Sequence, residues 1–323
     1  MILKKEIKKI ACVGGGLIGA GWATQFSMKG YNVNLYDVND DQLKSAHEHV
    51  KKNYNSLFEY GVLTKEQCNI AINRIKYTSN LREALKNVEL VQESGPERYE
   101  IKQSILAQID EISGEEVIYA SSTSGLLISK IAEKSKYAQR CVCAHPYNPP
   151  HLVPLVELIG YEGAEEAVAI LKEFYSSIGK EPVVLHKEVP GFIANRIQAA
   201  VGREIIDLVL HGVCSVEDAD KALTFGPGMR WAIMGQNLLY DLGGGSEGVC
   251  GLYQKIGGDP NRRTWLDDMA KWTKYPKEWP QIAQKGVDEA IKNRPKEFGN
   301  TKESLGQYRD KMLIEILKLH KKI

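Results

Sequence analysis

The chain changes its hydrophobic rhythm partway along. Up to about residue 185, short unbroken apolar runs alternate with longer stretches in which apolar residues recur every three or four positions. The runs at residues 10–13, 88–92, 117–120, 140–144, 155–159 and 183–185, with one ending at Leu35 and Tyr36, read as strands buried on both faces. The longer stretches read as helices. One spans 40–60, opened by Asn39-Asp40 and ended by Gly61; one spans 65–74, with Thr64 and Gln67 as a capping box; one spans 163–178, closed by Gly179. From Pro190 onward the period is helical with no convincing strand. A helix of over twenty residues is expected from Pro190, then others near 216–223, 235–242, 248–256, 281–293 and 302–321, with a Trp- and Pro-rich loop at 272–280. Alternating strands and helices followed by helices alone predict an α/β domain at 1–187 and a smaller all-α domain at 188–323.

The first strand runs into Gly14, Gly16 and Gly19, which form G-x-G-x-x-G at the turn into the first helix. Gly14 allows the turn, Gly16 lets the backbone approach a pyrophosphate, and Gly19 lets helix and strand pack closely. The amides of Leu17 and Ile18 would face the phosphates at the positive end of that helix. Asp37 ends the second strand, about twenty residues beyond Gly19, where a carboxylate accepts ribose hydroxyls and repels a 2′-phosphate. Strand, turn, helix, strand and acid together predict a Rossmann-type, doubly wound, mostly parallel sheet that binds NAD.

Composition narrows the classes without choosing among enzymes. A net charge of +1 over 323 residues gives no reason to expect nucleic acid or an anionic membrane as partner, and no run of eighteen apolar residues is present to span a bilayer. The start MILKKEIKKI has lysines before an apolar segment, but that segment is the first strand, so it reads as no targeting signal. The six cysteines are dispersed, and Cys141 and Cys143 alternate along a strand without forming C-x-x-C. A cytoplasmic protein with reduced thiols and no metal centre is expected.

Successive strands should deliver polar residues to the edge that holds the glycine turn, because open parallel sheets bind ligands at the carboxyl ends of their strands. SSTSGL follows the strand at 117–120 and brings Ser124; HPYNPP follows that at 140–144 and brings His145. Glu157 lies inside an apolar strand and needs a partner, since a lone buried carboxylate is costly, and His145 is the nearest sensible one. An imidazole beside a nicotinamide suits alcohol oxidation. It takes the hydroxyl proton, Glu157 orients it, and Ser124 and Asn195 hydrogen-bond the substrate oxygen as it becomes a carbonyl. Taken singly, each also has a structural explanation as a loop histidine, a helix cap or a polar helix position.

Read together, these motifs resemble the 3-hydroxyacyl-CoA dehydrogenase family over nearly the whole chain: G-x-G-x-x-G with Asp37, SGPE with Lys102, SSTS, HPYNPP before PLVEL, and VPGFIANR. The resemblance implies that Ser124, His145, Glu157 and Asn195 form the catalytic group. It also implies that Asp37, Glu97 and Lys102 contact the cofactor, that Asn148 touches cofactor or substrate, and that the protein is a homodimer. Beyond VPGFIANR the chain departs from the acyl-CoA enzymes with FGPGMRWAIMGQNLLYDLGGG, and there it resembles the subgroup of L-carnitine dehydrogenase and L-gulonate 3-dehydrogenase, the latter also lambda-crystallin.

The resemblance leaves three functions open: oxidation of a small free 3-hydroxy acid, oxidation of a 3-hydroxyacyl-CoA, and a non-catalytic, crystallin-like role. A free acid needs a fixed cation near the reacting carbon. Arg230, in GPGMRW, is the candidate for its carboxylate, and the faces of Trp231 and Tyr240 for a trimethylammonium group. The alternative is a surface ion pair for Arg230 and core positions for the aromatics.

Overall fold

In the computed structural model, residues 6–257 and 265–323 are described. The first five residues of the start weighed as a targeting signal lie outside them. The described chain forms an eight-stranded sheet in the order β3-β2-β1-β4-β5-β6-β7-β8. The strands are β1 (Lys9–Val13), β2 (Asn32–Tyr36), β3 (Ile75–Thr78), β4 (Leu90–Glu93), β5 (Ile118–Ser121), β6 (Cys141–Pro146), β7 (Leu155–Gly160) and β8 (Glu181–Val184). β3 to β6 with β1 and β2 run parallel; β7 is antiparallel to β6, and β8 follows β7. Between the strands stand α1 (Leu17–Met28), α2 (Asp40–Glu59), α3 (Lys65–Ile72), α4 (Leu81–Ala84), α5 (Tyr99–Ile112), α6 (Ile128–Ile131) and α7 (Glu165–Ser177).

β1 shows why the strands are apolar throughout. Its residues alternate between two cores: Ile10 and Cys12 join the cluster that includes Trp22, Phe26, Phe174 and Tyr175, while Ala11 and Val13 join the one that includes Leu106, Ile109 and Ile128. Each large side chain so buried contributes about 1.5–3 kcal/mol. On the first face Trp22 stacks on Phe26 at 5.1 Å and meets Tyr175 at 5.4 Å.

The chain divides into two compact units. One runs up to Asn195 and takes in Arg309–Ile323; the other is Arg196–Tyr308. The sequence reading put the last helix wholly in the second domain. Instead Ile314 and Leu317 of the last helix are buried in the core of the first unit. The second unit holds most of α8 (Ala194–Leu210), then α9 (Val216–Leu223), α10 (Met229–Trp231), α11 (Gln236–Gly243), α12 (Gly248–Gly257) and α13 (Trp279–Asn293); α14 is Lys302–Leu319. Among the described residues it contains no strand. No helix among the described residues is long and apolar enough to cross a membrane.

Two further expectations need correction. β3 and α4 were not anticipated, because IKYT has only a half-apolar pattern and becomes a strand by pairing with β2, Val33 opposite Ile75. α8 begins at Ala194, not at Pro190. Gly191 and Phe192 hold φ of 76° and 50°, which a right-handed helix cannot accommodate.

Candidate functional site

The turn between β1 and α1 is built so that little but glycine fits. Gly14 has φ of 101°, and a Cβ there would lie 2.7 Å from the carbonyl oxygen of Ser94; one on Gly19 would lie 1.8 Å from that of Gly14. Gly16 differs. Its Cβ would enter open space at the end of α1, where no side chain caps the helix, so the first amides have room in front of them for an anion. Leu17, in the first helical position, is exposed and Ile18 half-buried. Asp37 is oriented by two backbone donors: Gly15 N–H to Oδ2 and Val38 N–H to Oδ1, both 2.7 Å. Each oxygen keeps a lone pair for a ribose hydroxyl. Gly15 escaped the motif reading, although it tethers the acid and a Cβ on it would meet Ala46 at 2.7 Å; the unbroken triple glycine was its only signal. These features fit a dinucleotide.

One strand along, Glu97 lies at the start of α5 and gathers the loop after β5. Its Oε1 accepts from the hydroxyl of Thr123 at 2.7 Å, the N–H of Ser124 at 2.7 Å, the Ser124 hydroxyl at 3.1 Å and the N–H of Gly125 at 3.2 Å. Burial pushes its pKa up, but the bonds from Thr123 and Ser124, with Lys102 nearby, hold the carboxyl below its ordinary value.

Lys102 does not present its amine to solvent. It is 1% exposed and donates to both oxygens of Glu93, at 2.9 and 3.1 Å, and to the carbonyl of Gly95 at 3.2 Å, with Oε2 of Glu97 at 3.6 Å. Glu93 was missed by the sequence reading. It also accepts from Gly95 N–H, Tyr119 and Ser121, and so anchors the segment that leads to Glu97.

His145 and Glu157 face one another across the only antiparallel pairing of the described sheet, β6 with β7. Both are buried, and Nδ1 of the imidazole lies 2.8 Å from Oε2 of the carboxylate. A carboxylate can only accept there, so Nδ1 carries a proton, and in the neutral imidazole the lone pair lies on Nε2. The other oxygen, Oε1, accepts the backbone N–H groups of Ile193 at 2.8 Å and Ala194 at 3.0 Å. Against the push of burial, these bonds and the imidazole keep Glu157 below the usual carboxylate pKa. The same bonds explain where α8 starts, because its leading amides are satisfied by Glu157 and not by a cap of its own.

Asn195, next along, donates from Nδ2 to the carbonyl of Ser124 at 2.9 Å. Ser124, His145, Glu157 and Asn195 therefore meet within the first unit. Asn148 is exposed on the loop between β6 and β7, followed by a cis bond to Pro149.

The remaining candidates lie in the second unit. Arg230 is exposed in α10, and its guanidinium has no hydrogen bond or ion pair among the described residues. Trp231 donates to Gln236 and lines a cavity of about 610 Å³ within that unit, with Val201, Ile205, Leu208, Ala222 and Leu223. Tyr240 packs edge-on against Tyr253 at 5.7 Å. Among the described residues no cluster of His, Cys, Asp and Glu could hold a metal ion.

Residues 9–189 match the family model for the 3-hydroxyacyl-CoA dehydrogenase NAD-binding domain, and 191–282 that for its C-terminal domain. A 3-hydroxyacyl-CoA dehydrogenase of Gibberella moniliformis is 34% identical over 99% of this chain and 97% of its own. An L-carnitine dehydrogenase of Streptomyces coelicolor is likewise 34% identical, over 98% of this chain and 96% of its own. Among solved structures, that of 5-formyl-3-hydroxy-2-methylpyridine 4-carboxylic acid 5-dehydrogenase, an NAD-dependent dismutase, is 29% identical, covers 98% of both chains and superposes with a TM-score of 0.79.

Proposed function

From the premise that the chain belongs to the 3-hydroxyacyl-CoA dehydrogenase family, and so is an NAD-dependent oxidoreductase acting on a CH–OH group, we propose that its substrate is a small free 3-hydroxy acid, oxidised to the 3-oxo acid. L-Carnitine is favoured and L-gulonate next.

His145 acts as the base. Its Nε2 takes the hydroxyl proton, and Glu157, already bonded to Nδ1, stabilises the imidazolium that results. The Ser124 hydroxyl, once it turns from Glu97, and the amide of Asn195 donate to the substrate oxygen as it gains carbonyl character. Bound NAD would supply the acceptor for the hydride that leaves the substrate carbon. Gly14, Gly16, Gly19 and the amides of Leu17 and Ile18 would hold its pyrophosphate and Asp37 its ribose, and Glu97 and Asn148 would be further contacts, Asn148 to cofactor or substrate. Lys102 serves the cofactor through Glu97 and Gly95, since its ammonium is spent on Glu93.

The observation that carries the reaction is the cross-strand His145–Glu157 pair, at the sheet edge that holds the glycine turn. The free acid is supported by Arg230, a guanidinium suited to a carboxylate and without a partner among the described residues, in the segment that departs from the acyl-CoA pattern. Several relatives bear the name L-carnitine dehydrogenase, and the solved dehydrogenase above is named for a small carboxylic acid. A second reading, a 3-hydroxyacyl-CoA substrate, is favoured by the name of the Gibberella relative.

NADH absorbance at alkaline pH with L-carnitine, L-gulonate, 3-hydroxybutyrate and 3-hydroxybutyryl-CoA separates the two. Turnover should be fastest with L-carnitine. Efficient use of the thioester with none of the free acids overturns the proposal.

A further inference from the structure

Tyr147 has no part in the chemistry above, yet it touches two of its groups. Its hydroxyl donates to Oδ1 of Asn195 at 3.1 Å. Its ring meets the imidazole of His145 nearly edge-on, 5.7 Å between centroids at 68°. Phe192 lies against the same imidazole at 5.4 Å.

An asparagine amide has a carbonyl edge that only accepts and an NH2 edge that only donates, and rotation about its last bond exchanges them. Only the NH2 edge helps a substrate oxygen that is gaining negative charge. In this site one N–H of Asn195 is committed to the carbonyl of Ser124, which selects the edge. The phenol then occupies Oδ1 from the other side, fixes the plane of the amide and draws electron density from it, which strengthens the remaining N–H as a donor. Burial and the charge of Glu157 both raise the phenol's pKa, so the hydroxyl stays protonated and able to donate.

We propose that Tyr147 is a positioning residue for the dehydrogenase reaction: its hydroxyl holds the amide of Asn195 so that the uncommitted N–H serves the substrate oxygen. This rests on the role given to Asn195 above. It adds that the loop following His145 and the first turn of α8 are joined at the site by a side chain and not by the backbone alone.

Tyr147→Phe keeps the ring against His145 and removes only the hydroxyl. Loss of one hydrogen bond should lower kcat about fivefold to tenfold, with KM for NAD unchanged. Asn195→Ala should cost more, and adding Tyr147→Phe to it should change kcat by less than about twofold, because the partner is already gone. Thermal midpoints of the four proteins, measured beside the kinetics, identify a purely structural effect as one that lowers the midpoint and leaves kcat of the folded enzyme intact; that result overturns the proposal. So does an equal loss from Tyr147→Phe in both backgrounds. Full activity in Asn195→Ala overturns the role of Asn195 itself, and with it this inference, whereas an impaired Asn195→Ala with an unimpaired Tyr147→Phe rejects the inference alone.

Discussion

Glu157 and Ala194 share a hydrogen bond of 3.0 Å, carboxylate oxygen to backbone N–H, that ties the histidine pair to the helix carrying Asn195. The carboxylate orients the imidazole with one oxygen and the start of α8 with the other. Two proposed catalytic groups from distant parts of the chain are thus set by one side chain.

Glu157→Gln is therefore expected to be at least as damaging as the loss of the base itself. An amide cannot accept from Nδ1–H and from two backbone N–H groups at once without turning a donor on one of them. Both Glu157→Gln and His145→Gln should slow the chemical step by about a hundredfold or more in single-turnover measurements, with NAD affinity little changed. Near-normal turnover in His145→Gln removes that residue from the mechanism.

Asp37→Ala should weaken NAD and narrow its advantage over NADP, since ribose hydrogen bonds and a repulsive charge disappear together. The released N–H of Gly15 adds to the loss. Fluorescence titration with both cofactors measures it, and wild-type protein that binds NADP as tightly as NAD contradicts the assignment of Asp37.

Arg230→Met should raise KM for a free 3-hydroxy acid about tenfold or more, in line with a lost charge-assisted hydrogen bond, and leave NAD binding intact. Steady-state kinetics on the acid that proves best in the substrate panel provide the check. An unchanged KM assigns the carboxylate to another group.

The second unit exposes Phe225, Met229, Ile233, Leu238 and Leu242, with 56–70% of each residue accessible. An apolar surface of this kind is normally covered, and a twofold dimer is the commonest way to cover it. Light scattering at micromolar concentration should give twice the chain mass of 36.1 kDa; the monomer mass refutes the expectation.

His151 adds a dependence on pH. It is buried, and burial first, then Lys180 and Arg309, lowers its pKa from 6.5 to about 3. Between those values the unfolded chain binds a proton that the folded one refuses, so stability falls as pH drops below about 6.5. Carboxylates held below 4.5, such as Glu157, add their loss only at lower pH. Urea midpoints between pH 7 and 5 should decline in the wild type and decline less in His151→Gln; parallel declines rule the histidine out.

The glycine turn, Asp37 and the strand ends were legible in the sequence because each follows a local rule: backbone space for Gly14 and Gly19, and position at a strand end for Asp37. What escaped depends on partners far along the chain. Ile75 to Thr78 becomes a strand only beside β2. The start of α8 is displaced from Pro190 by a carboxylate on β7. Lys102 looks like ordinary first-turn helix chemistry until Glu93, at the end of β4, is seen to bury it. The contact of Tyr147 with Asn195 has no signal in spacing at all.

The unit boundary also falls just past the last of the four groups proposed for the chemistry. Ser124, His145, Glu157 and Asn195 all precede Arg196, where the second unit begins, so their mutual geometry is set within one folded body.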